Sequence, residues 1–310
     1  MAGATLILMA VLLCACTSSP PAAESDFNLA GHITDKAIRE ASGLSRSRRD
    51  DRLWLINDGG SRPQLHAIGL DGSSQGSVTL TDIRNVDWED LSSFENDGKH
   101  WLIVADIGDN NSKRDHCTLY IVEEPQDAQI AAGKLRVQRQ ISFVYPDGAR
   151  DAESVAVDVA NQQILILSKR DIPAVLYTLP LYPSTDGLLT ATRIGEIDGI
   201  PQPTPYDIER AFPDLNWHWQ PTAMSIASDG LTAAVLTYRA TYVFKRVSGQ
   251  SWFDALRMEP ERFALGQYNE AEAVVFSSDG ASLFATTENR NAPLLKLELP
   301  QNSTTGDLDE

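Results

Sequence analysis

Short apolar runs alternate with polar turns along nearly the whole chain. A first stretch alternates apolar and polar positions, as in AVVFSS. A turn rich in Asp, Asn and Gly follows: RRDDR, ENDGK, VANQQ, ASDGL or SSDGA. A second apolar stretch comes next (LWLIN, WLIVAD, ILILS, AAVLT, LFATT), and then a third (LHAIGL, TLYIV, VLYTLPL, TYVFKR, LLKLEL). Period-two alternation bounded by such turns predicts antiparallel strands. Helical periodicity is confined to a turn or two within residues 205–214.

Each series opens with one short motif: an acid or amide, any residue, Glu/Ser/Thr, a small or acidic residue, then Leu/Val/Met. The copies are Glu40-Ala-Ser42-Gly-Leu44, Asp87-Trp-Glu89-Asp-Leu91, Asp151-Ala-Glu153-Ser-Val155, Gln220-Pro-Thr222-Ala-Met224 and Glu270-Ala-Glu272-Ala-Val274. A fourth strand precedes the next copy in four cases: GSVTL, RQISFVYP, TRIGEIDG and RFALGQ. After the fifth copy none remains, but FNLAGHITD (residues 27–35) is available before the first. Repeated four-strand units closed by an N-terminal strand predict an all-β β-propeller with five four-stranded blades, which leaves no long open sheet edge. Six blades are the alternative, should residues 181–219 hide a degenerate unit. That stretch reads instead as one strand and a Pro-rich insertion.

Innermost strands line a propeller's axis, so the motifs should converge there. First and third motif residues, two apart, are expected on one side. This places Glu40, Asp87, Asp151, Gln220 and Glu270 in one ring, with Ser42, Glu89, Glu153, Thr222 and Glu272 beneath. The turns after the second strands lie at the same end, and each carries an arginine: Arg62, Arg114, Arg170, Arg239 and Arg290. Acids recur beside them as Asp58, Asp106, Asp109 and Glu288. Crowded carboxylates need a proton, a cation or an arginine. Two arrangements follow. A hard cation such as Ca²⁺ sits on the axis, held by carboxylate oxygens, or the arginines neutralise the acids from blade to blade.

Departures from five-fold repetition mark where a ligand would bind. Blade two has the richest turn, with Asp109 and Asn110, which suit either a cation or an ordinary turn. Blade four carries neutral Gln220 and Thr222 and the insertion with Tyr206, Trp217, His218 and Trp219. Those aromatic side chains suit a sugar or peptide, or a loop folded over a blade edge.

The N-terminal run TLILMAVLLCAC is too short to cross a bilayer as a helix and has the length of a signal-peptide core. Leu13-Cys14-Ala15-Cys16 resembles the bacterial lipobox. The resemblance implies a signal peptide over residues 1–15, acylation of Cys16, a Pro/Ala-rich tether over 16–26, the propeller over 27–299 and a polar tail over 300–310. Thr17 is not Asp, which in Gram-negative lipoproteins implies an outer membrane anchor facing the periplasm. Only Cys117 would then remain as a thiol, so no intrachain disulfide can form. Its CTLYIV setting reads as a buried strand. The net charge of −17 falls entirely beyond residue 16, and argues against nucleic acid and polybasic membrane contact.

The motifs EASGLS, DWEDLSSF, DAESVAVD, QPTAMSI and NEAEAVVF resemble those of calcium-activated nucleotidases, the soluble apyrases. The likeness is one of rhythm and spans most of residues 27–299. It implies five blades, an axial Ca²⁺, and Glu40, Glu89, Glu153 and Glu272 as ion ligands. The apyrase blade turns are not found in this chain. ADIGDNNSKR followed by LYIVEEP is similar to uncharacterised secreted bacterial propeller proteins. A looser likeness extends to gluconolactonase-type and phytase-type propellers.

Two functions fit these features. The first is a lipid-anchored propeller of the cell envelope that binds a protein partner or small ligand. Its metal set would be drawn from Glu40, Asp87, Glu89, Asp151, Glu153, Glu270 and Glu272. Its ligand contacts would come from Arg62, Asp109, Asn110, Arg114, Arg170, Gln220, Arg239 and Arg290. The second is a Ca²⁺-dependent hydrolase of an ester or phosphate ester, with Glu89, Glu153 or Glu272 as base. Nucleophile-elbow, HExxH, P-loop and Rossmann motifs are lacking, and the five histidines are scattered.

Overall fold

A computed structural model describes residues 24–205, 219–268 and 270–300. The expected signal and acylation site, including Cys16, lie outside the described residues, as do Tyr206, Trp217 and His218 of the insertion. No helix among the described residues is long and apolar enough to cross a membrane.

The chain forms a five-bladed β-propeller. It begins with β1 (Asn28–His32). Blade one follows as β2 (Ala41–Arg46), β3 (Leu53–Asn57), β4 (Gln64–Ile68) and β5 (Ser74–Thr81). Blade two comprises β6 (Trp88–Asn96), β7 (Lys99–Asp106) and β8 (Cys117–Glu123). A short helix α1 (Asp127–Ala132) and strand β9 (Lys134–Arg136) then lead to its outer strand β10 (Arg139–Val144). Blade three holds β11 (Ala152–Asp158), β12 (Gln163–Ser168) and β13 (Val175–Pro180). Residues Leu189–Thr190 form β14, and Thr192–Glu196 form β15, the outer strand of blade three. Blade four holds β16 (Pro221–Ile226), β17 (Thr232–Thr237) and β18 (Ala240–Lys245), a helical turn α2 (Trp252–Ala255), and β19 (Glu261–Ala264). Blade five is β20 (Ala271–Phe276), β21 (Ser282–Thr287) and β22 (Pro293–Glu298), with β1 paired antiparallel to β22.

The closing strand is the one that the leftover segment at the N-terminus suggested. Residues 181–205 do not start a sixth blade. They supply β14, which pairs parallel with β10, and β15. In the same way β9 adds a short parallel strand to β5.

The inner strands β2, β6, β11, β16 and β20 pack in a closed ring around the axis. Five apolar layers fill the spaces between adjacent blades. Ile164 and Ile166 of β12 face the layer shared with blade two, while Leu165 and Leu167 face the layer shared with blade four. Both faces of each middle strand are therefore buried. This is why LWLIN, ILILS and AAVLT read as continuous apolar runs rather than alternating ones. Each fully buried aliphatic side chain contributes about 1.5–3 kcal/mol relative to exposure. Cys117 lies in one of these layers, and burial pushes its thiol up to about 12, which makes it a packing residue.

Candidate axial cation site

Every inner strand carries a bulge at its motif. Trp88 pairs with Asp106 and Asp90 with Ala105, which leaves Glu89 as the extra residue. Glu153, Thr222 and Glu272 are the extra residues of β11, β16 and β20. In β2 the pairing shifts between Ala41 and Leu44, around Ser42. A bulge re-aims the side chain it carries. Simple alternation of the first and third motif residues therefore does not hold. The first residues precede the strands: Glu40 and Glu270 are exposed, Asp87 is half-buried, and Asp151 and Gln220 are buried.

The side chain at each bulge decides what the position does. The hydroxyls of Ser42 and Thr222 donate to the next blade, to the carbonyls of Glu89 (2.6 Å) and Ala271 (2.7 Å). A carboxylate cannot donate in this way. Glu89, Glu153 and Glu272 instead face one another electrostatically near the axis.

A second tier comes from the turn that follows the middle strand in four of the blades. Asp58, Gly108, Lys169 and Glu288 donate their backbone N–H groups to the carbonyls of Glu40, Asp87, Asp151 and Glu270. Equivalent backbone positions thus carry an acid, no side chain, a cation and an acid. The asymmetry divides the axis. Lys169 contacts Glu153, and its ammonium lies 5.1 Å from the centre of the Tyr238 ring. Arg170 Nε lies 2.7 Å from Asp151, and the Asp109 N–H donates to the other Asp151 oxygen at 2.9 Å.

On the other side the acids have no directly paired cation, and Lys169 and Arg114 act on them only from a distance. Ligand atoms of Asp58, Asp87 and Glu89 all lie within 4.8 Å of one another, as do those of Glu89, Asp151 and Glu153. Among the described residues, no Lys, Arg or His lies within ion-pair distance of Asp58, Asp87, Glu89, Glu272 or Glu288. The electrostatics follow from this. Burial, with Asp58 and Arg114 acting in opposite directions, pushes Asp87 up to about 6. Burial pushes Glu153 up to about 7, against the pull of Lys169. Burial and the neighbouring acids, Glu153 first among them, hold Glu89 and Glu272 well above the usual carboxylate range. Asp58 and Glu288 are raised for the same reasons. Burial alone would lower Lys169, but Glu153 and Glu272 outweigh it and hold the ammonium charged.

The predicted arginine ring is only partly assembled. Arg114 pairs with Asp106 at 2.7 Å and donates to the Gly108 carbonyl at 2.9 Å. Arg170 pairs with Asp151 and contacts Asn110. Arg62, Arg239 and Arg290 are exposed and form no ion pair among the described residues. Asp109 accepts from the N–H groups of Lys113 and Arg114, both at 2.8 Å, so it shapes its own turn.

Two residues outside the recurrent motif and arginine positions anchor the site. Lys169 stands directly before Arg170 in SKR. Asp90 occupies the fourth motif position, which is small in the other blades. Its oxygens accept from Leu91 (2.8 Å), Val155 (2.8 Å) and Met224 (3.2 Å). β16 is not a neighbour of β6 in the ring, so the last bond crosses the axis. Burial pushes the Asp90 carboxyl up, and the three N–H donors pull the other way.

The unpaired trio sits in a cradle made by two glycines. A Cβ on Gly108 would collide with the carboxylates of Glu89 and Asp87, and one on Gly59 would collide with Asp87. The Oε2 of Glu153 is buried without a hydrogen-bond partner. An all-oxygen, carboxylate-rich set, packed against two glycines that let the carboxylates approach the backbone, fits a hard divalent cation.

No family model matches the chain, and no curated protein is similar to it. Among solved structures the chain has distant similarities. They include the β-propeller domain of Myceliophteria thermophila Cps50 (Swd1), 13% identical, with a TM-score of 0.43 over 92% of this chain and 73% of that one. A nidogen/laminin complex matches at 11% identity, with a TM-score of 0.42 over 80% of this chain and 72% of that one. Kuenenia stuttgartiensis hydrazine synthase matches at 11% identity, with a TM-score of 0.40 over 83% and 71%.

Proposed function

We propose that the protein is a propeller of the cell envelope, tethered through acylated Cys16, that binds a divalent cation on its axis and a partner molecule on its surface. The observation that carries the cation reading is the trio Asp58, Asp87 and Glu89, whose ligand atoms converge within 4.8 Å without a directly paired cation and press against Gly59 and Gly108. Those three carboxylates would hold the ion, with Glu272 and Glu288 nearby to balance its charge. When bound, the ion would neutralise the acids and fix the blades around the axis. Ca²⁺ is the ion this oxygen set suits best.

Binding is favoured over hydrolysis because the candidate bases are enclosed. Lys169 occupies Glu153, and Glu89 is buried with Ser42 and the other carboxylates around it. A hydrolytic base needs an accessible face towards substrate.

The test is metal analysis of residues 24–310, with thermal melting in EDTA and in added Ca²⁺. One equivalent of bound metal and a melting temperature that falls in EDTA are expected. Absence of metal, with no shift in either condition, would reject the axial ion. Tethering is tested separately: labelled palmitate should incorporate into the full chain and not into Cys16→Ser.

A further inference from the structure

Blade two also has a helix between its third and fourth strands, but in blade four the helix joins an apolar layer between blades. This helix is α2, whose residues Trp252 and Ala255, with Leu256, join the apolar layer against blade three. Phe253 lies over Gly195 of β15, where any Cβ would meet its ring at 2.7 Å. Arg257 reaches Asp198 at 3.3 Å. The segment therefore crosses from one blade to the next and walls a cleft of about 760 Å³ between them. The cleft includes Asp158, the last residue of β11, and the 229–231 turn. It lies at the end of the propeller opposite the axial carboxylates.

Its floor is a fixed ion pair. Arg246 of blade four forks onto both oxygens of Asp158 in blade three, at 2.8 and 3.0 Å, and stacks on Trp252 at 4.3 Å. This arginine is spent, so the lining retains the negative charge of Asp229 and Asp254. The indole Nε1 of Trp252 is a buried donor without a partner, in a side chain that is almost wholly enclosed. Around the mouth, aliphatic side chains stand in solvent: Ile194 and Leu231 in the lining, and Val159 and Val247 next to lining residues. Val247 is 71% exposed. Scattered exposed apolar residues need no explanation, but exposed aliphatic side chains in and beside one cleft suit an apolar partner.

We propose that this cleft docks a segment of a partner protein bearing aliphatic and Lys or Arg side chains. The aliphatic residues would cover Leu231, Val247 and Ile194. The cation would meet Asp229 and Asp254. Charge complementarity selects this occupant. The lining is acidic once Arg246 is paired, and so is the whole chain, at −17. A second copy of the chain or an acidic peptide would meet repulsion.

The test uses fluorescent peptides of about ten residues in four compositions: aliphatic–basic, aliphatic–acidic, polar–basic and polar. Binding is followed by polarisation at physiological salt. Only the aliphatic–basic peptide should bind, and Leu231→Asp combined with Val247→Asp should weaken it at least about tenfold, as loss of interface anchors does. Leu70→Asp, on another blade, should change nothing. EDTA should leave binding intact, which separates this site from the axial ion. Equal binding of polar–basic peptide, or no loss in the double variant, overturns the proposal. So does a dimer in sedimentation that the double variant dissolves, since the occupant would then be a second copy.

Discussion

The Lys169 ammonium lies in direct contact with the Glu153 carboxylate on the propeller axis, and both side chains are 6% exposed. Breaking a buried pair leaves a charge without compensation, at a cost of about 3–5 kcal/mol. Lys169→Met should therefore lower urea stability by about that amount at pH 7. Glu153 then loses the partner that held it down to about 7, so it should take up a proton readily in mild acid. The loss should shrink at pH 5 and largely vanish when Glu153→Gln is added. An equal loss at both pH values would mean that Lys169 acts by packing alone.

The raised carboxyls also set the pH dependence. An acid whose pKa is higher folded than unfolded binds more protons in the native state, so its stabilising contribution is lost as pH rises. For Asp87 the window runs from the ordinary 3.8 to about 6, and for Glu153 from 4.5 to about 7. Metal-free protein should lose this contribution between roughly pH 4 and 7. His66, lowered by burial, titrates in the opposite sense, so the readout is the difference from Asp87→Asn. That variant should lose less stability across the window, and saturating Ca²⁺ should flatten the wild-type decline. A decline that is identical in wild type and variant would remove Asp87 as its source.

Much of the fold was legible from the chain, because turn chemistry and strand rhythm repeat in each blade. The N-terminal closing strand followed from counting alone. The site was less legible. Alternation implies that Asp87 and Glu89 share a face, but a bulge is invisible in a pattern of period two, and it separates their roles. Arginine recurrence suggested a complete neutralising ring, yet only Arg114 and Arg170 reach acids. The turns differ in length and path, and sequence does not reveal that Arg62, Arg239 and Arg290 turn outwards. Lys169 could have been recognised by aligning the residues after each middle strand, which places it beside Asp58 and Glu288. Asp90 has no repeat to announce it. The short strands β9 and β14 pair only through contacts remote in sequence.

Gly108 is the position where the backbone equivalents of Asp58, Lys169 and Glu288 carry no side chain. A methyl group there would press on Glu89 and Asp87 without removing any ligand. Gly108→Ala should therefore lower Ca²⁺ affinity at least about tenfold in calorimetry, since misplacing ligands weakens a site as surely as deleting them. The metal-free melting temperature should move little. Unchanged affinity would show that the ion, if bound, lies away from the Gly108 side of the axis.

Asp90 joins three blades through one carboxylate. An asparagine has a single acceptor oxygen, and its amide would point N–H bonds at a backbone N–H. Either orientation leaves at least one of Leu91, Val155 and Met224 without an acceptor, in a site with no exposure. Each orphaned buried group costs about 1–3 kcal/mol. Asp90→Asn should thus be destabilised in urea by at least one such increment, and Asp90→Ala, which orphans all three, by more. Because the bond to Met224 crosses the axis, its amide should lose hydrogen-exchange protection together with that of Val155, while amides of β21 keep theirs. If Met224 stays protected in both variants, the tie between blades two and four is held by packing, and the carboxylate is dispensable to it.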